Sequence, residues 1–408
     1  MGYAKNKYIE DQERVYSTGS DIYFCQKHFG DNDIKRYIQK LGTFEKECSF
    51  CKDYDQEEPS VTINSDVLLD VVVACICRSY DHPANGLAYR SAEGGYRGDV
   101  YDTLELLNEI IPLDADYEVL EYLADEIIQT EWTEGEFYCN SYSEELSYLW
   151  NAFSHLIKHK VRYLFKEIAP NQHEDGYHNE PHSILESIGN SIIKLNLFVN
   201  LPEKTNLFNQ DVVIYRARQH ASTQEVESCK DVGSPPSEKA SSNRFSAEGI
   251  SMFYGAENEK TAIGEIIDRE QPTDFISIAV FYPATELTLI DLRNINEIGF
   301  FNFEAIDLYE PSRFLSSFVH QVSIKIDKNQ NRRIEFVPSQ VVTEYFRHVL
   351  PSKAGITING IIYKSAQNKG CDCYVIFADS EQCKDEKDID ERTVMIFRKL
   401  EVRRVSEL

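Results

Sequence analysis

Apolar residues along this chain keep two different periods. Between about residues 56 and 168 they recur at helical spacing: Leu68, Val71, Val72 and Cys75, then Leu104, Leu106, Leu107 and Ile110, then Leu120, Tyr122, Leu123 and Ile127. A further set, Leu149, Trp150, Phe153, Leu156 and Ile157, predicts another helix within Leu146 to Phe165. After a helix over Ile184 to Val199 the period shifts towards two. Val212 to Tyr215, Ile276 to Phe281, Leu287 to Ile290, Gly360 to Tyr363 and Tyr374 to Phe377 read as strands rich in Ile, Val, Phe and Tyr. Helices intervene at 259–269, with Asn258 as cap, and at 340–349, with Ser339 as cap. The pattern is that of an α+β protein.

Three parts follow. Residues 1–55 carry two closely spaced ligand pairs, 56–182 form a helical region ending in a polar linker, APNQHEDGYHNEPH (169–182), and 183–408 form the mixed domain. A Gly-rich loop, GLAYRSAEGGYRGD, interrupts the helical region. A long polar loop, Gln219 to Asn243, interrupts the mixed domain, and such a loop is often a lid or a binding loop. The chain shows no internal repeat and no low-complexity tract. Its 408 residues exceed one comfortable core, which agrees with two or three domains.

Charge narrows the partners. With 42 basic and 68 acidic residues the net charge is −26, and such a surface repels nucleic acid at long range. No apolar run approaches the ~20 residues of a membrane span. The longest candidate, Val67 to Cys77, is short and is cut by Asp70. The N-terminus lacks the apolar core of a signal peptide, and Gly2 with Asn6 does not fit a myristoylation site. A reducing cytoplasm is the expected compartment, where ten cysteines read as thiols or metal ligands before disulfides.

Cys25-x2-His28 and Cys48-x2-Cys51, separated by 19 residues, are a Cys3His set. Two residues between the members of each pair let a tight turn present both to one ion, and four such ligands suit a closed, structural zinc site. Zinc would stabilise a segment too short for a core of its own. Cys371-x-Cys373 with Cys383 is a weaker pattern and reads as buried thiols.

A second constellation lies in the mixed domain. Arg216 and Arg218 follow an apolar strand in VVIYRAR, on one strand face, either as a solvated pair or salt bridge to the acidic surface or as a fork for pyrophosphate. Arg244 lies in a Gly/Ser-rich turn, Tyr254 ends a short apolar run, Glu265 sits at the edge of an apolar helical arc (Ala262, Ile263, Ile266, Ile267), and Ser365 ends GIIYKS. Taken singly, each has a plain reading as a solvated or turn-forming residue or a core tyrosine.

Taken together, YRAR, NRFSAEGISMFYGA with TAIGE, and GIIYKS, in that order, resemble the RES domain over about residues 205–380. The Cys/His pairs, helical region and linker resemble the N-terminal region called HEPN/RES. The resemblance implies a fold similar to ADP-ribosyltransferases, with two small sheets around a nicotinamide cleft, and a toxin that depletes NAD+, often restrained by a helix-turn-helix antitoxin. Its signature Arg, Glu and Ser fall on Arg216, Glu265 and Ser365, with Arg244 and Tyr254 matching further family positions and Arg218 none. HEPN ribonucleases also need an Arg and His about a helical turn apart. The nearest match, Arg78-x3-His82, is one residue short and precedes Pro83, so no RNase is expected.

On this resemblance Glu265 stabilises the ribose cation as nicotinamide leaves, Arg216 and Arg244 anchor phosphates, Tyr254 flanks the nicotinamide ring, and Ser365 hydrogen-bonds the nicotinamide or its ribose. The acceptor stays open: water makes a glycohydrolase, phosphate a phosphorylase, a protein side chain an ADP-ribosyltransferase. A different class also stays open, a sensing or scaffold protein whose RES domain is a dormant effector. A regulatory partner, self-assembly into a homo-oligomer and a role in antiviral defence are expectations of the same kind.

Overall fold

The computed structural model describes residues 15–17, 19–51, 60–91, 94–111, 116–134, 142–167, 182–203, 212–221, 226–267, 274–324 and 331–407. The linker expected at 169–182 lies, apart from His182, outside the described residues. The chain divides into two compact units, residues 1–145 with 297–313, and residues 146–296 with 314–408. These are not the boundaries drawn from the sequence at 55 and 182.

In the first unit the helices Ser65–Ser79, Thr103–Ile110 and Tyr117–Glu126 each begin at a side-chain cap. Asn64, Asp102 and Asp116 accept the N–H of Asp66, Glu105 and Glu118. Their apolar faces (Leu68, Val72, Leu106, Leu123) close on Trp132, whose indole N–H donates to Thr103 Oγ1 at 3.0 Å. Phe24, Phe29, Ile34 and Ile38 join the same core, so the Cys/His segment does not stand apart from the helices. The Gly-rich loop carries a short pairing, Tyr89–Arg90 with Gly95–Tyr96.

The second unit is built on nine strands, numbered here in chain order: β1 Phe198–Leu201, β2 Ile214–His220, β3 Phe253–Ala256, β4 Phe275–Pro283, β5 Leu287–Asp291, β6 Gly360–Lys364, β7 Asp372–Ile376, β8 Cys383–Asp385 and β9 Met395–Arg404. Their order is β8-β9-β4-β2-β3-β7-β6-β5-β1. The β5–β6 and β8–β9 pairs are parallel and the others antiparallel. The strands of the β6–β7 region are apolar at nearly every position because both faces are covered. Ile361 and Val375 face a helical layer that includes Phe153, Ile188, Phe318 and Phe346, whereas Ile362 and Ile376 face Phe281 and Met395.

The resemblance implied two small sheets; the structure joins all nine strands in one order, whose two halves meet at a single rung. β3 pairs with β7 along its whole length but with β2 only at Ala256–Tyr215. Gly255 permits that approach, since a Cβ there would lie 2.3 Å from Ile214 Cγ2 and 3.1 Å from the Tyr215 carbonyl oxygen. Beyond this one rung the halves part, and a cleft opens.

Helix α1, Glu259–Ile266, begins where expected, with Asn258 accepting from the Thr261 N–H at 2.9 Å. Helix α2, Val337–His348, starts three residues earlier than the sequence predicts. Ser339 is therefore not its cap. Its hydroxyl bonds instead to the carbonyls of Phe336, at 3.0 Å, and Arg244, at 2.5 Å.

Candidate active site and metal centre

The parted half-sheets enclose a cleft of about 660 Å³. β2 supplies Arg216 and Arg218, β3 Tyr254, the turn before it Arg244, α1 Glu265, and β6 Tyr363. Four of the five expected site residues thus line one cleft, and the fifth, Ser365, touches Glu265 from behind.

Both β2 arginines are held by carbonyls rather than carboxylates. Arg216 donates from Nε to Val232 O at 2.9 Å and from Nη1 to Tyr254 O at 2.6 Å. Arg218 donates to Asp231 O. The two acceptors end one short helix, Cys229–Val232, whose first turn is tied by the Asp231 carboxylate. Asp231 Oδ2 accepts from the N–H groups of Glu227 and Ser228 and from the Ser228 hydroxyl at 2.9–3.1 Å. Carbonyl partners orient a guanidinium without neutralising it, so the full charge stays available to an anion. Burial lowers the Arg216 pKa to about 10, which still leaves it cationic at neutral pH.

Arg244 is anchored in the same manner. It donates to Val322 O and to Ile324 O, the latter at 2.9 Å, at the end of the helix Tyr309–Ser323. Its guanidinium lies 5.4 Å from the centre of the Phe336 ring. The turn that carries it is held by Gln340, whose side-chain amide donates to Ser242 Oγ, Asn243 O and Ser246 O. Two of its donors are therefore occupied by the fold itself.

Glu265 stands in the last turn of α1, exposed to the cleft. Ser365 donates to its Oε1 at 2.5 Å, and the Cys373 thiol lies 3.8 Å from the same oxygen. Ser365 is buried, and its oxygen accepts the N–H groups of Gln367 and Asn368. The Asn368 amide in turn donates to Thr261 Oγ1 at 2.8 Å, which fastens the loop after β6 to α1. The one proton of Ser365 is spent on Glu265.

Two tyrosines face each other's field here. Tyr254 donates to Ser246 Oγ at 2.9 Å, and burial pushes its pKa up to about 12. Burial also pushes Tyr363 well up, and its ring meets Phe245 edge-on at 4.9 Å. Both remain neutral phenols. Tyr363 was legible in principle: it lies two residues before Ser365 in GIIYKS, on the same strand face. Cys373 bears out the reading as a buried thiol, raised by burial. The carbonyls that seat the arginines carry no sequence signal.

In the first unit Cys25, His28, Cys48 and Cys51 converge, with all four potential ligand atoms within 4.8 Å of one another. Cys25 ends a strand paired with Thr62–Asn64, and His28 ends the following 3-10 turn. His28 Nε2 lies 3.2 Å from Cys48 Sγ and 3.4 Å from Cys51 Sγ. The set could hold a metal ion. Its His28 Nδ1 meets Asp116 Oδ2 at 3.3 Å, the outer carboxylate that orients a metal-binding imidazole. Asp116 is 88 positions downstream of His28 and was invisible to spacing.

Arg78 and His82 form no site together. The Arg78 guanidinium lies over the Tyr309 ring, 3.9 Å from its centre, while His82 Nδ1 caps the turn Pro83–Gly86 by accepting from the Ala84 N–H.

Residues 213–396 match the RES domain family, and residues 43–171 match HEPN/RES N-terminal domain 1. The chain thus carries a RES domain preceded by a HEPN/RES N-terminal domain 1. Neither a curated protein nor a solved structure shows significant similarity to it. The RES match contains Arg216, Arg244, Tyr254, Glu265 and Ser365, and with them the whole cleft described above. A RES domain supports a toxin-like, NAD-related function in general. Among the described residues no helix is long and apolar enough to cross a membrane.

Proposed function

We propose that this RES-domain protein breaks the nicotinamide–ribose bond of NAD+ in the cleft between the half-sheets. The observation that carries the reading is one carboxylate, Glu265, fixed by Ser365 and set in a cleft with three arginines held by backbone carbonyls. The arginines supply charge for a pyrophosphate, and Tyr254 and Tyr363 supply neutral aromatic surface for a ring. Nicotinamide leaves from a cationic ring with the electron pair of the C–N bond, so no general acid is required. The ribose carbon left behind gains positive charge, and a pre-oriented carboxylate beside it lowers the barrier. Addition of water at that carbon, with loss of a proton, gives ADP-ribose. Addition of phosphate gives its 1″-phosphate.

Ser365 acts in this scheme through Glu265 rather than on nicotinamide, since its proton already serves the carboxylate. The same reading assigns zinc to the Cys3His set, as a closed structural site without an open position for chemistry. Purified full-length protein incubated with NAD+ should release free nicotinamide, with ADP-ribose or its phosphate as co-product, and Glu265→Gln should slow the release by roughly a hundredfold or more. A folded protein that leaves NAD+ intact, with water or phosphate as acceptor, would overturn the proposal. Label that remained on protein rather than on a soluble product would reassign the acceptor.

A further inference from the structure

The cleft holds more positive charge than NAD+ needs. Its lining includes one carboxylate, Glu265, and seven cations. Lys364 is committed to Asp372 at 2.7 Å. Arg216, Arg218 and Arg244 are the carbonyl-held set. Three more remain, all exposed: Lys239 on the turn Ser237–Lys239, and Arg332 and Arg333 at the start of the turn Arg332–Glu335. Arg333 reaches Glu248 only at 4.0 Å, and among the described residues Lys239 and Arg332 have no ion-pair partner.

This pattern runs against the composition. The chain carries 68 acidic side chains for 42 basic ones, so a cation anywhere on its surface has ample opportunity to pair. Elsewhere in the second unit several cations pair closely: Arg293 with Asp291 and Asp372, Lys158 with Glu335, Lys353 with Glu186, Arg403 with Glu259. Along the lining of the cleft, by contrast, six of the seven cations have no carboxylate closer than 4.0 Å among the described residues. Like charges gathered without carboxylates between them repel, and a bound anion relieves that repulsion. Burial, and the neighbouring Arg332 charge as well, lower the Arg244 pKa, which places Arg332 within the field of the carbonyl-held set.

NAD+ brings two phosphate charges and one opposing pyridinium. The three carbonyl-held arginines suffice for it. We infer that Arg332, Arg333 and Lys239 form a further anion subsite at the cleft, and that the dinucleotide it takes carries a third phosphate, as NADP+ does. This inference rests on the reading of the cleft as a site of nicotinamide–ribose cleavage. The bond broken is the same: the electron pair leaves with nicotinamide, water supplies a hydroxyl to the ribose carbon and loses a proton, and 2′-phospho-ADP-ribose is the co-product.

The test is nicotinamide release by the full-length protein from NAD+ and from NADP+, measured side by side as kcat/KM. A charge-assisted contact to phosphate predicts a preference for NADP+ of about tenfold or more. In the Arg332→Ala/Arg333→Ala variant that preference should collapse towards parity, through KM for NADP+ rather than through kcat. Both side chains are exposed, and an unchanged thermal melting midpoint checks that the variant is folded. Raised salt should weaken NADP+ binding more steeply than NAD+ binding. Cleavage of NAD+ with no preference for NADP+ overturns the inference and leaves the cleavage reading standing. An NADP+ preference that survives the double substitution, and survives Lys239→Ala as well, overturns the assignment to these residues. Cleavage of neither dinucleotide overturns both.

Discussion

The Ser365 hydroxyl donates to Glu265 Oε1 at 2.5 Å, while its own oxygen accepts two backbone N–H groups of the following turn. Ser365 is thereby a fixed donor that aims a carboxylate. Ser365→Ala should lower the rate of nicotinamide release by roughly a hundredfold, the scale of misplacing a reacting group by about 1 Å. The loss should fall on kcat with KM little changed, and Ser365→Thr, which keeps the hydroxyl, should recover part of it. Glu265→Gln should lose roughly a hundredfold to a thousandfold, as for removal of one charge-stabilising group. A Ser365→Ala loss confined to KM would return that residue to a direct substrate contact.

Asp231 should control dinucleotide affinity without touching the dinucleotide. Its carboxylate ties the first turn of the short helix whose last carbonyls seat Arg216 and Arg218. Asp231→Asn should raise KM and leave kcat nearly intact, at a stability cost of about 1 kcal/mol. Burial raises the Asp231 pKa, but its hydrogen bonds outweigh that, and the net shift is downward. The unfolded chain then binds the proton more tightly. The stabilisation is complete above the ordinary aspartate range, near about 4, and is lost as pH falls through the lower folded value. The stability gap between the wild type and Asp231→Asn should therefore be constant at neutral pH and shrink in acid, as urea unfolding at several pH values would read.

Gly255→Ala should destabilise the second unit. A methyl group there lands 2.3 Å from Ile214 Cγ2 at the one rung between β2 and β3. Overpacking of this kind costs roughly 1–3 kcal/mol. Calorimetry should show the lower-melting variant, and Gly264→Ala, whose methyl would meet only Gln367 Cβ at 3.9 Å, should melt near the wild type.

Metal analysis of the protein should find about one zinc per chain. Removing it with a strong chelator should lower the melting temperature of the first unit, because His28 and Cys25 are tied to the core shared with Phe24 and Phe29. Asp116→Asn should weaken metal affinity about tenfold to a hundredfold by releasing the His28 ring. Retention of full affinity in that variant would reduce Asp116 to a helix cap.

What the sequence made legible were side chains in local patterns. The strands from Ile276, Leu287 and Gly360 and the Asn258 cap were readable because periodicity and capping are local. The Cys3His set was readable because two turns carry it. Other features depend on distant chain segments meeting. Asp116 reaches His28 only through the fold, the Arg216 and Arg218 partners are backbone oxygens of the short helix Cys229–Val232 and of β3, and Arg332 joins the cleft from a turn with no motif. The Ser339 cap failed because Pro338 is well placed in a first helical turn and lets the helix begin earlier, at Val337.

At the seam between the half-sheets, Arg216 reaches from β2 to the Tyr254 carbonyl of β3. Where the main-chain ladder lapses, a side chain stands in as a rung. The residue that would grip a ligand is thus also a clasp across the floor beneath it. Lysine, a point charge on a flexible stem, lacks the planar fork that seats both carbonyls at separate nitrogens. A substitution at 216 loosens the architecture and removes a charge in one stroke, so the short helix that presents the accepting carbonyls at 231 and 232 is the cleaner place to intervene.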